Sequence, residues 1–347
     1  MVNQAPSRNR PLRIGLMGLG HVARYAHVPA ILETPGLELA AVFEPHSTSF
    51  VLPETTRLAS TESAFFETAL DCVVVTSPAP CHRDNIAAAA DAGLPVLCEK
   101  PLADDPDHAD QILAVVDGRP PLFVAYCYRF SSVATTIRDL LRDGAIGELK
   151  LMRLVYNWDL HGMHADRTDP ASGINPRWHG RMIEGGPMVD CGVHQIDLAQ
   201  WWSGSRIEHA TGRGAWLVDY EAPSHVWGHL THANGIETCV EMSYTSGHTG
   251  RKPERNFRYE LFGTDGLIVF DAVAGRFEVK SSRTEQALPF ANEKNFGAMY
   301  DAFARAVTTG EAGDLCLPAD AVHNTRIAWQ VNQSAIEQRS AAARLTG

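Results

Sequence analysis

The sequence has few cysteines, no long apolar run and no leader-like start. Its seven cysteines are scattered, odd in number and free of any C-x-x-C pair, which argues against a disulfide framework and a zinc site. No apolar stretch approaches the roughly 18 to 20 residues that a membrane-spanning helix needs. The first twenty residues lack the apolar core and cleavage site of a signal peptide. We therefore expect a cytoplasmic protein with no membrane partner.

Basic side chains are also scarce. Thirty Lys and Arg stand against forty-one Asp and Glu, which gives a net charge of −11. An acidic chain binds polyphosphate backbones poorly, so no nucleic-acid partner is expected. The densest basic cluster is interpreted as a solvated loop that leads into a strand. It consists of Arg251, Lys252, Arg255 and Arg258.

Two domains are expected from the length, because the 347 residues exceed the roughly 250 to 300 that one hydrophobic core usually supports. Up to about residue 126, short apolar runs alternate with helical stretches, which is typical of an α/β fold with a doubly wound parallel sheet. Its strands are predicted at 13–17, 38–43, 72–76, 95–98 and 122–126. Residues 45–71 show no clean period. The first expected domain is therefore 1–126.

The pattern changes after residue 126. Short alternating segments separated by Gly, Asn and Asp predict an open, mostly antiparallel sheet, with helical stretches among and after the strands. The helices are predicted at 133–142, 189–202, 296–306 and 319–338. The second expected domain is therefore an α+β domain over 127–347, whose C-terminal helices are candidates to pack back on the first domain.

A glycine-rich turn follows the first predicted strand. It has the pattern G-x-G-x-x-A and consists of Gly18, Leu19, Gly20, His21, Val22 and Ala23. Gly18 permits a tight turn, Gly20 lets the backbone approach a pyrophosphate, and Ala23 allows close helix packing. Residues 1–126 hold eight basic and fifteen acidic side chains, so a pyrophosphate must rely on N–H groups at the helix start. The turn therefore predicts a dinucleotide site.

The acid at the end of the second strand predicts which dinucleotide is bound. Glu44 lies twenty-four residues after Gly20. A carboxylate at that position accepts both hydroxyls of an adenosine ribose and repels a 2′-phosphate. We therefore expect NAD as the cofactor, in preference to NADP.

The loops after the third and fourth strands lie at the carboxyl edge of the predicted sheet, where ligands bind. The first loop carries Ser77, Pro78 and His82, interpreted as lining the nicotinamide side of the site, although a helix cap is an alternative role for the histidine. The second is Glu99-Lys100-Pro101. Its lysine is a good electrophile for a carbonyl or alkoxide oxygen, and its Lys-Pro bond is a candidate cis peptide. A surface lysine in a turn is the alternative.

The segment 185–197 combines a glycine pair with a helix predicted to begin near Val189. On a regular helix Asp190, His194 and Asp197 would fall at i, i+4 and i+7 on one face. A carboxylate one turn from an imidazole can fix its tautomer and raise its basicity, which makes His194 a candidate general base. A capped helix with an i, i+4 hydrogen bond is the alternative.

Together these four segments resemble the glucose-fructose oxidoreductase, inositol dehydrogenase and MocA family of oxidoreductases, over nearly the whole chain. The resemblance implies an N-terminal Rossmann domain and a C-terminal domain that binds substrate and assembles through its open sheet as a homodimer or homotetramer. It also implies catalytic roles for Lys100, Asp190 and His194. In that mechanism His194, oriented by Asp190, accepts the proton of a substrate hydroxyl. At the same time the carbon that bears this hydroxyl gives a hydride to the nicotinamide. Lys100 stabilises the alkoxide, and Glu99 contributes to the cofactor site.

Two segments lie where this family builds its substrate pocket, residues 156–164 and 178–181. Their aromatic side chains, with Asn, Asp, His and Arg, suit a small polyhydroxy substrate, and we expect contacts from Asn157, Trp178 and Asp197. A metal site formed by His161, His164 and His179 is an alternative interpretation of part of these segments. No metal is expected, because the family's dehydrogenases need none and such histidine spacing in a loop is often incidental.

The expected function is therefore an NAD-dependent dehydrogenase acting on a sugar, cyclitol or related polyol. Two alternatives stay open at this point. One is a glycoside hydrolase of the same family that uses NAD for transient oxidation. The other is a non-catalytic regulator that senses a dinucleotide, against which stands the complete set of Lys100, Asp190 and His194.

Overall fold

The chain folds into two compact units. The computed structural model describes residues 10–158, 176–245, 255–291 and 294–346. Unit 1 runs up to Phe130 and takes in a later segment, Lys294–Val322, whereas unit 2 comprises Ser131–Glu293 and the chain from His323 onward. The chain first passes from unit 1 to unit 2 after Phe130, four residues beyond the expected boundary at 126. The separate roles expected for the two domains stay predictions.

Unit 1 is built on a six-stranded, wholly parallel sheet, which confirms the predicted doubly wound fold. In chain order its strands are β1 (Leu12–Met17), β2 (Leu37–Phe43), β3 (Arg57–Ala59), β4 (Cys72–Val75), β5 (Val96–Cys98) and β6 (Leu122–Val124). Their order across the sheet is β3-β2-β1-β4-β5-β6, so the order reverses between β1 and β4. Ligands bind at the carboxyl ends of the strands at such a reversal.

Helices cover this sheet, and the central strands are therefore apolar at successive positions rather than alternately. The whole of β4, Cys-Val-Val-Val, is buried. The helices that precede unit 2 are α1 (Val28–Glu33), α2 (Glu62–Phe66), α3 (His82–Asp91) and α4 (Pro106–Val116). A π-helical turn, Ala23–His27, runs directly into α1.

Two short elements in unit 1 were not predicted, β3 and α2. They lie within residues 45–71, and they contain three and five residues. Each of them buries a single side chain, Ala59 in β3 and Phe65 in α2, so neither shows the continuous apolar run that marks β5 and β6. A local signal does mark the start of α2, because the Thr61 hydroxyl accepts the Ala64 N–H at 3.3 Å as an N-cap.

Unit 2 contains an eight-stranded mixed sheet. Its strands are β7 (Leu149–Asn157), β8 (Ile207–Ala215), β9 (His225–His232), β10 (Glu237–Ser243), β11 (Asn256–Gly263), β12 (Gly266–Asp271), β13 (Arg276–Ser281) and β14 (Glu285–Ala287). Their order is β14-β13-β12-β11-β7-β10-β9-β8, and of these neighbours only β7 and β10 pair in parallel. The predicted mostly antiparallel sheet is confirmed.

Apolar residues alternate along these strands because helices cover one face of the sheet. In β9, for example, Val226 and Leu230 are buried while His229 is exposed. The helices of unit 2 begin with α5 (Ser132–Arg142), α6 (Pro176–Ile183) and α7 (Val193–Ser203). The helix predicted over 189–202 is interrupted, because Met188–Gly192 is a π-helical turn that precedes α7.

Two helices close the chain. Helix α8 (Phe296–Thr309) belongs to unit 1, and α9 (Pro318–Thr346) starts in unit 1 and continues into unit 2. Within unit 2, α9 packs closely on β8: a Cβ on Gly212 would lie 2.0 Å from the Val331 carbonyl oxygen. In the described part of the chain, no helix is both long and apolar enough to cross a membrane.

The contact at Gly212 predicts a stability effect. Gly212→Ala should lower the free energy of unfolding by about 1 to 3 kcal/mol, because the methyl group forces β8 and α9 apart. Urea unfolding measures the change. The control is Gly180→Ala in α6, where a Cβ meets no atom within 4 Å and alanine favours the helix. Equal unfolding midpoints for the two variants would contradict the close packing.

Candidate active site

The glycine-rich turn follows β1, where the sheet of unit 1 reverses its order. Gly18 has a φ of +95°, and a Cβ there would lie 2.6 Å from the backbone nitrogen of Ser77, so only glycine fits. Its N–H donates to the Phe43 carbonyl at 2.9 Å, and its carbonyl accepts from Thr76 Oγ1 at 2.6 Å. These bonds fix the turn against the ends of β2 and β4.

Gly20 differs from Gly18, because it borders open space. A Cβ on Gly20 would meet no protein atom within 4 Å, so a ligand can approach the backbone closely. His21 and Val22 begin the helical segment that continues into α1. N–H groups at a helix start attract anions. The turn therefore fits the pyrophosphate of a dinucleotide.

The Glu44 carboxylate, predicted to bind a ribose, lies against this turn. Its Oε2 accepts the Leu19 N–H at 2.9 Å, and its Oε1 accepts the His46 N–H at 3.1 Å. Arg24 was not predicted as a site residue. It donates from Nε to the Leu19 carbonyl at 2.6 Å and from Nη2 to Thr48 Oγ1 at 3.2 Å. A carboxylate and a guanidinium thus bond the same residue of the turn.

The loop after β4 holds Ser77, Pro78 and His82, and the histidine ring is buried. Its Nε2 lies 2.9 Å from the Ser77 carbonyl oxygen and its Nδ1 lies 3.1 Å from that of Leu102. Burial lowers the pKa of His82. The Ser77 hydroxyl donates to Asn85 Oδ1 at 2.6 Å. The ring therefore ties this loop to the loop after β5, and the lining roles of these residues stay predictions.

The Glu99-Lys100-Pro101 turn follows β5, and the Lys100–Pro101 bond is cis. The Glu99 side chain is buried, and both of its oxygens bond protein groups: Oε1 lies 2.8 Å from His27 Nε2, and Oε2 accepts the Lys100 N–H at 3.0 Å. Burial alone would raise the pKa of Glu99. The hydrogen bond from His27 and the charges of Lys100 and Lys294 outweigh burial and lower it.

Two buried residues behind this turn were missed from the sequence. His27 ends the π-helical turn before α1, and its Nδ1 lies 2.6 Å from the hydroxyl of Tyr300 in α8. Burial, with a smaller contribution from Glu99, raises the pKa of Tyr300 well above its usual value. His27 and Tyr300 are separated by 273 residues, so no local pattern could have paired them.

In unit 2 the candidate Asp190 is buried in the π-helical turn and holds several donors. Its Oδ1 accepts from Arg181 Nη1 at 2.9 Å, its Oδ2 accepts from the Tyr244 hydroxyl, and the Cys191 thiol lies 3.5 Å from Oδ2. The charge of Asp190 raises the pKa of Arg181, while burial raises that of Tyr244 well above its usual value. Arg181 belongs to the pocket segment predicted at 178–181, whereas no sequence pattern pointed to Tyr244.

His194 and Asp197 follow on α7, and both side chains are buried. Asp197 Oδ1 accepts from Asn324 Nδ2 at 3.1 Å. The predicted face that joined Asp190 to these residues assumed 3.6 residues per turn throughout. Because the turn at Met188–Gly192 is π-helical, it rotates Asp190 relative to the residues of α7. The catalytic roles of Asp190 and His194 stay predictions.

The other expected substrate residues lie in unit 2 as well. Trp178 in α6 is buried edge-on to the Tyr220 ring, with 5.1 Å between ring centroids. Asn157, at the end of β7, donates from Nδ2 to Glu241 Oε1 at 2.7 Å. His225, whose Nε2 lies 3.4 Å from Glu241 Oε1, contributes most to lowering the pKa of Glu241 to about 2. Substrate contact by Asn157 and Trp178 stays a prediction.

Several sequence predictions lie outside the described residues. They are the pocket segment from residue 159 to 164, which includes His161 and His164 of the metal alternative, and Arg251 and Lys252 of the basic cluster. The third histidine of that alternative, His179, is described. Its Nδ1 bonds the Tyr220 hydroxyl at 2.7 Å.

The strand order of unit 1, the glycine turn at its reversal and the acid after β2 together define a dinucleotide-binding Rossmann domain. A family model described as "Oxidoreductase family, NAD-binding Rossmann fold" matches residues 12–125. A second, "GFO/IDH/MocA C-terminal domain", matches residues 134–269. The two models together span most of the chain. The protein belongs to the Gfo/Idh/MocA family of oxidoreductases, as its motifs predicted.

Similar proteins include the rhizopine catabolism protein MocA of Rhizobium meliloti, 31% identical over 55% of this chain and 57% of that protein. The inositol 2-dehydrogenase of Corynebacterium glutamicum (strain R) is 30% identical over 57% of this chain and 56% of its own length. The chain thus spans little more than half of these two relatives. The crystal structure of aldose-aldose oxidoreductase from Caulobacter crescentus, complexed with glycerol, shares the fold, with a TM-score of 0.78, 20% identity and coverage of 95% and 98% of the two chains.

An added methyl group should affect a different property at each of the two glycines: cofactor binding at Gly20 and thermal stability at Gly18. Gly20→Ala should leave the melting temperature unchanged but weaken NADH binding at least about tenfold, because the methyl group fills the space that the pyrophosphate needs. Gly18→Ala should instead lower the melting temperature, because its Cβ meets the Ser77 backbone at 2.6 Å. Calorimetry and NADH fluorescence measure the two quantities. Unchanged NADH affinity in Gly20→Ala would remove this turn from the cofactor site.

Proposed function

We propose that the protein is an NAD-dependent dehydrogenase that moves a hydride between a secondary alcohol of a sugar, cyclitol or related polyol and a nicotinamide. The observation that carries the proposal is the Glu99-Lys100-Pro101 turn directly after β5. It lies at the carboxyl edge of the sheet whose β1 leads into the glycine turn. Ligands bind along that edge in doubly wound sheets. The loop that carries Lys100 is therefore at the edge where a ligand is expected.

Residues of unit 1 hold the cofactor in this proposal. The backbone N–H groups from Gly18 to Val22 bind the pyrophosphate, and Glu44 binds the hydroxyls of the adenosine ribose. Ser77, Pro78 and His82 form the nicotinamide side. When bound, the nicotinamide supplies the hydride acceptor. Arg24 supplies a cation near the ribose position, so the preference for NAD over NADP depends on Glu44.

In this proposal the chemistry at the substrate hydroxyl is carried out by Lys100, Asp190 and His194. The Lys100 ammonium donates a hydrogen bond to the substrate oxygen and stabilises the negative charge that develops on it. His194 accepts the hydroxyl proton at a ring nitrogen. The Asp190 carboxylate favours the protonated imidazole electrostatically. Arg181 and Tyr244 donate hydrogen bonds to that carboxylate.

The proposed substrate class is a polyhydroxy compound. The similar proteins are named for inositol, rhizopine and aldoses, which share several hydroxyl groups on a compact carbon skeleton. Such a substrate needs many hydrogen-bonding groups and an apolar face to stack on. We propose Asn157, Trp178 and Asp197 as contributors to these contacts.

We also propose that the protein is a cytoplasmic homodimer or homotetramer that associates through the uncovered face of the unit 2 sheet. That face carries exposed apolar side chains, among them Leu151 and Phe262 at 41% and 36% exposure. Beside them runs a row of ion pairs: Arg153 with Glu260 at 3.2 Å and Arg258 with Glu260 at 2.6 Å. A mixed surface of this kind is typical of subunit contacts, and light scattering reports the mass in solution.

A panel of sugars and polyols with NAD and NADP, followed at the absorbance band of the reduced cofactor, tests the reaction. A dehydrogenase accumulates reduced cofactor in proportion to substrate. Release of a free sugar from a glycoside without net reduction would indicate the hydrolase alternative. Cofactor binding without turnover on any substrate would favour the regulator.

Lys100→Met should abolish turnover and leave NADH affinity within about twofold, because the change removes the charge that stabilises the alkoxide but no cofactor contact. Steady-state kinetics and NADH fluorescence measure the two effects. Lys150→Met is the matched control, since Lys150 is exposed in unit 2 and pairs with Glu148 at 2.9 Å. Retained turnover in Lys100→Met would contradict the proposed role.

Glu44→Ser should reduce the ratio of kcat/KM for NAD to that for NADP by at least about tenfold. The variant loses the carboxylate that bonds the ribose and repels a 2′-phosphate, and hydrogen bonds to a charged group have this strength. Kinetics with both cofactors give the ratio. A wild-type preference for NADP, or an unchanged ratio in the variant, would contradict the assignment of Glu44.

A further inference from the structure

A row of buried polar side chains lies behind the Lys100 turn in unit 1. It runs from Tyr300 in α8 through His27, before α1, to Glu99 after β5. The Tyr300 hydroxyl lies 2.6 Å from His27 Nδ1, and His27 Nε2 lies 2.8 Å from Glu99 Oε1. His27 is fully buried and Glu99 is 6% exposed. Three segments distant in the sequence thus share one hydrogen-bonded row.

The donors and acceptors of the row follow from its chemistry. A carboxylate can only accept, so Nε2 of His27 is the donor to Glu99 Oε1. The second oxygen, Oε2, accepts the backbone N–H of Lys100 at 3.0 Å. Each Glu99 oxygen therefore accepts a hydrogen bond from the protein. Oε1 accepts from His27, and Oε2 accepts from the backbone of Lys100, the proposed electrophile.

We propose that Glu99 and His27 are positioning residues for Lys100. The inference rests on the proposed function, and it replaces a direct cofactor contact by Glu99. A lysine side chain is flexible, and any movement of its own backbone peptide adds to the movement of its ammonium group. The row anchors that peptide to α1 and α8, so it limits where the ammonium can lie when substrate binds. Tyr300 holds the far side of the His27 ring.

Glu99→Gln tests the proposal with almost no change in shape. The two donors face different oxygens of Glu99, and glutamine replaces one of these oxygens by an NH2 group, so either His27 Nε2 or the Lys100 N–H loses its acceptor at that position. We expect kcat to fall by about 100-fold, as for a group displaced by about 1 Å, while KM for NAD stays within about twofold. The control is Glu38→Gln, a half-buried carboxylate of the same unit that pairs with Arg13 at 2.6 Å. Its kinetic constants should not change.

Variants of His27 separate positioning from bulk structure. His27→Gln retains an N–H donor toward Glu99, whereas His27→Leu fills similar space without one. We expect the glutamine variant to recover most of kcat and the leucine variant to lose about as much as Glu99→Gln. Equal losses in both variants would mean that the ring only fills space, and would overturn the role of His27.

A third measurement needs no catalysis. The Lys100 backbone amide should exchange its hydrogen at least about tenfold faster in Glu99→Leu than in Glu38→Leu, because a leucine at 99 offers it no acceptor. Unchanged exchange overturns the proposal even if the substrate panel finds no reaction, in which case only the proposed function has failed. A Glu99→Gln variant with normal kcat and weakened NAD binding would show that Glu99 contacts the cofactor, and also overturns it.

Discussion

The backbone contact at Gly18 is the constraint on which the rest of unit 1 depends. β1 and β4 are neighbours at the point where the sheet reverses its order. Because nothing larger than hydrogen fits at Gly18, the ends of these strands approach closely enough for Thr76 Oγ1 to bond the Gly18 carbonyl. Leu19 then bonds Glu44. The positions of the glycine turn and of the acid that is proposed to select the cofactor are therefore set by one close approach.

Each unit also buries a carboxylate and supplies it with two strong donors. Glu99 receives a ring N–H and a backbone N–H, whereas Asp190 receives a guanidinium and a phenol. A buried carboxylate without such donors would take up a proton, since burial penalises its charge. A charge that is retained in a low-dielectric environment acts strongly on its neighbours. The chain thus uses ordinary acidic residues as fixed charges beside the residues to which the proposed function assigns chemistry.

The sequence predicted what depends on neighbours in the chain. Continuous apolar runs revealed the central strands of unit 1, and alternation revealed most strands of unit 2, because burial on two faces or one face leaves a direct imprint on composition. The partners of Glu99 and Asp190 left no such imprint. His27 and Tyr300 come from segments far from residue 99 and far from each other, and their pairing is decided by how α1 and α8 pack in unit 1.

The π-helical turns explain why spacing was least informative at the candidate catalytic residues. In the described chain, such turns occur at Ala23–His27, which ends in the ring that bonds Glu99, and at Met188–Gly192, which contains Asp190. A π-helical turn bonds residues five apart, so the side chains before and after it face directions that a regular helix would not give them. This geometry lets one helical segment start at the glycine turn and still direct His27 into the core of unit 1. Asp190 lies within the second of these turns, and there Arg181 and Tyr244 bond its carboxylate. Residue spacing on an ideal helix identifies candidates at such positions, but the partners are set by the irregular turn.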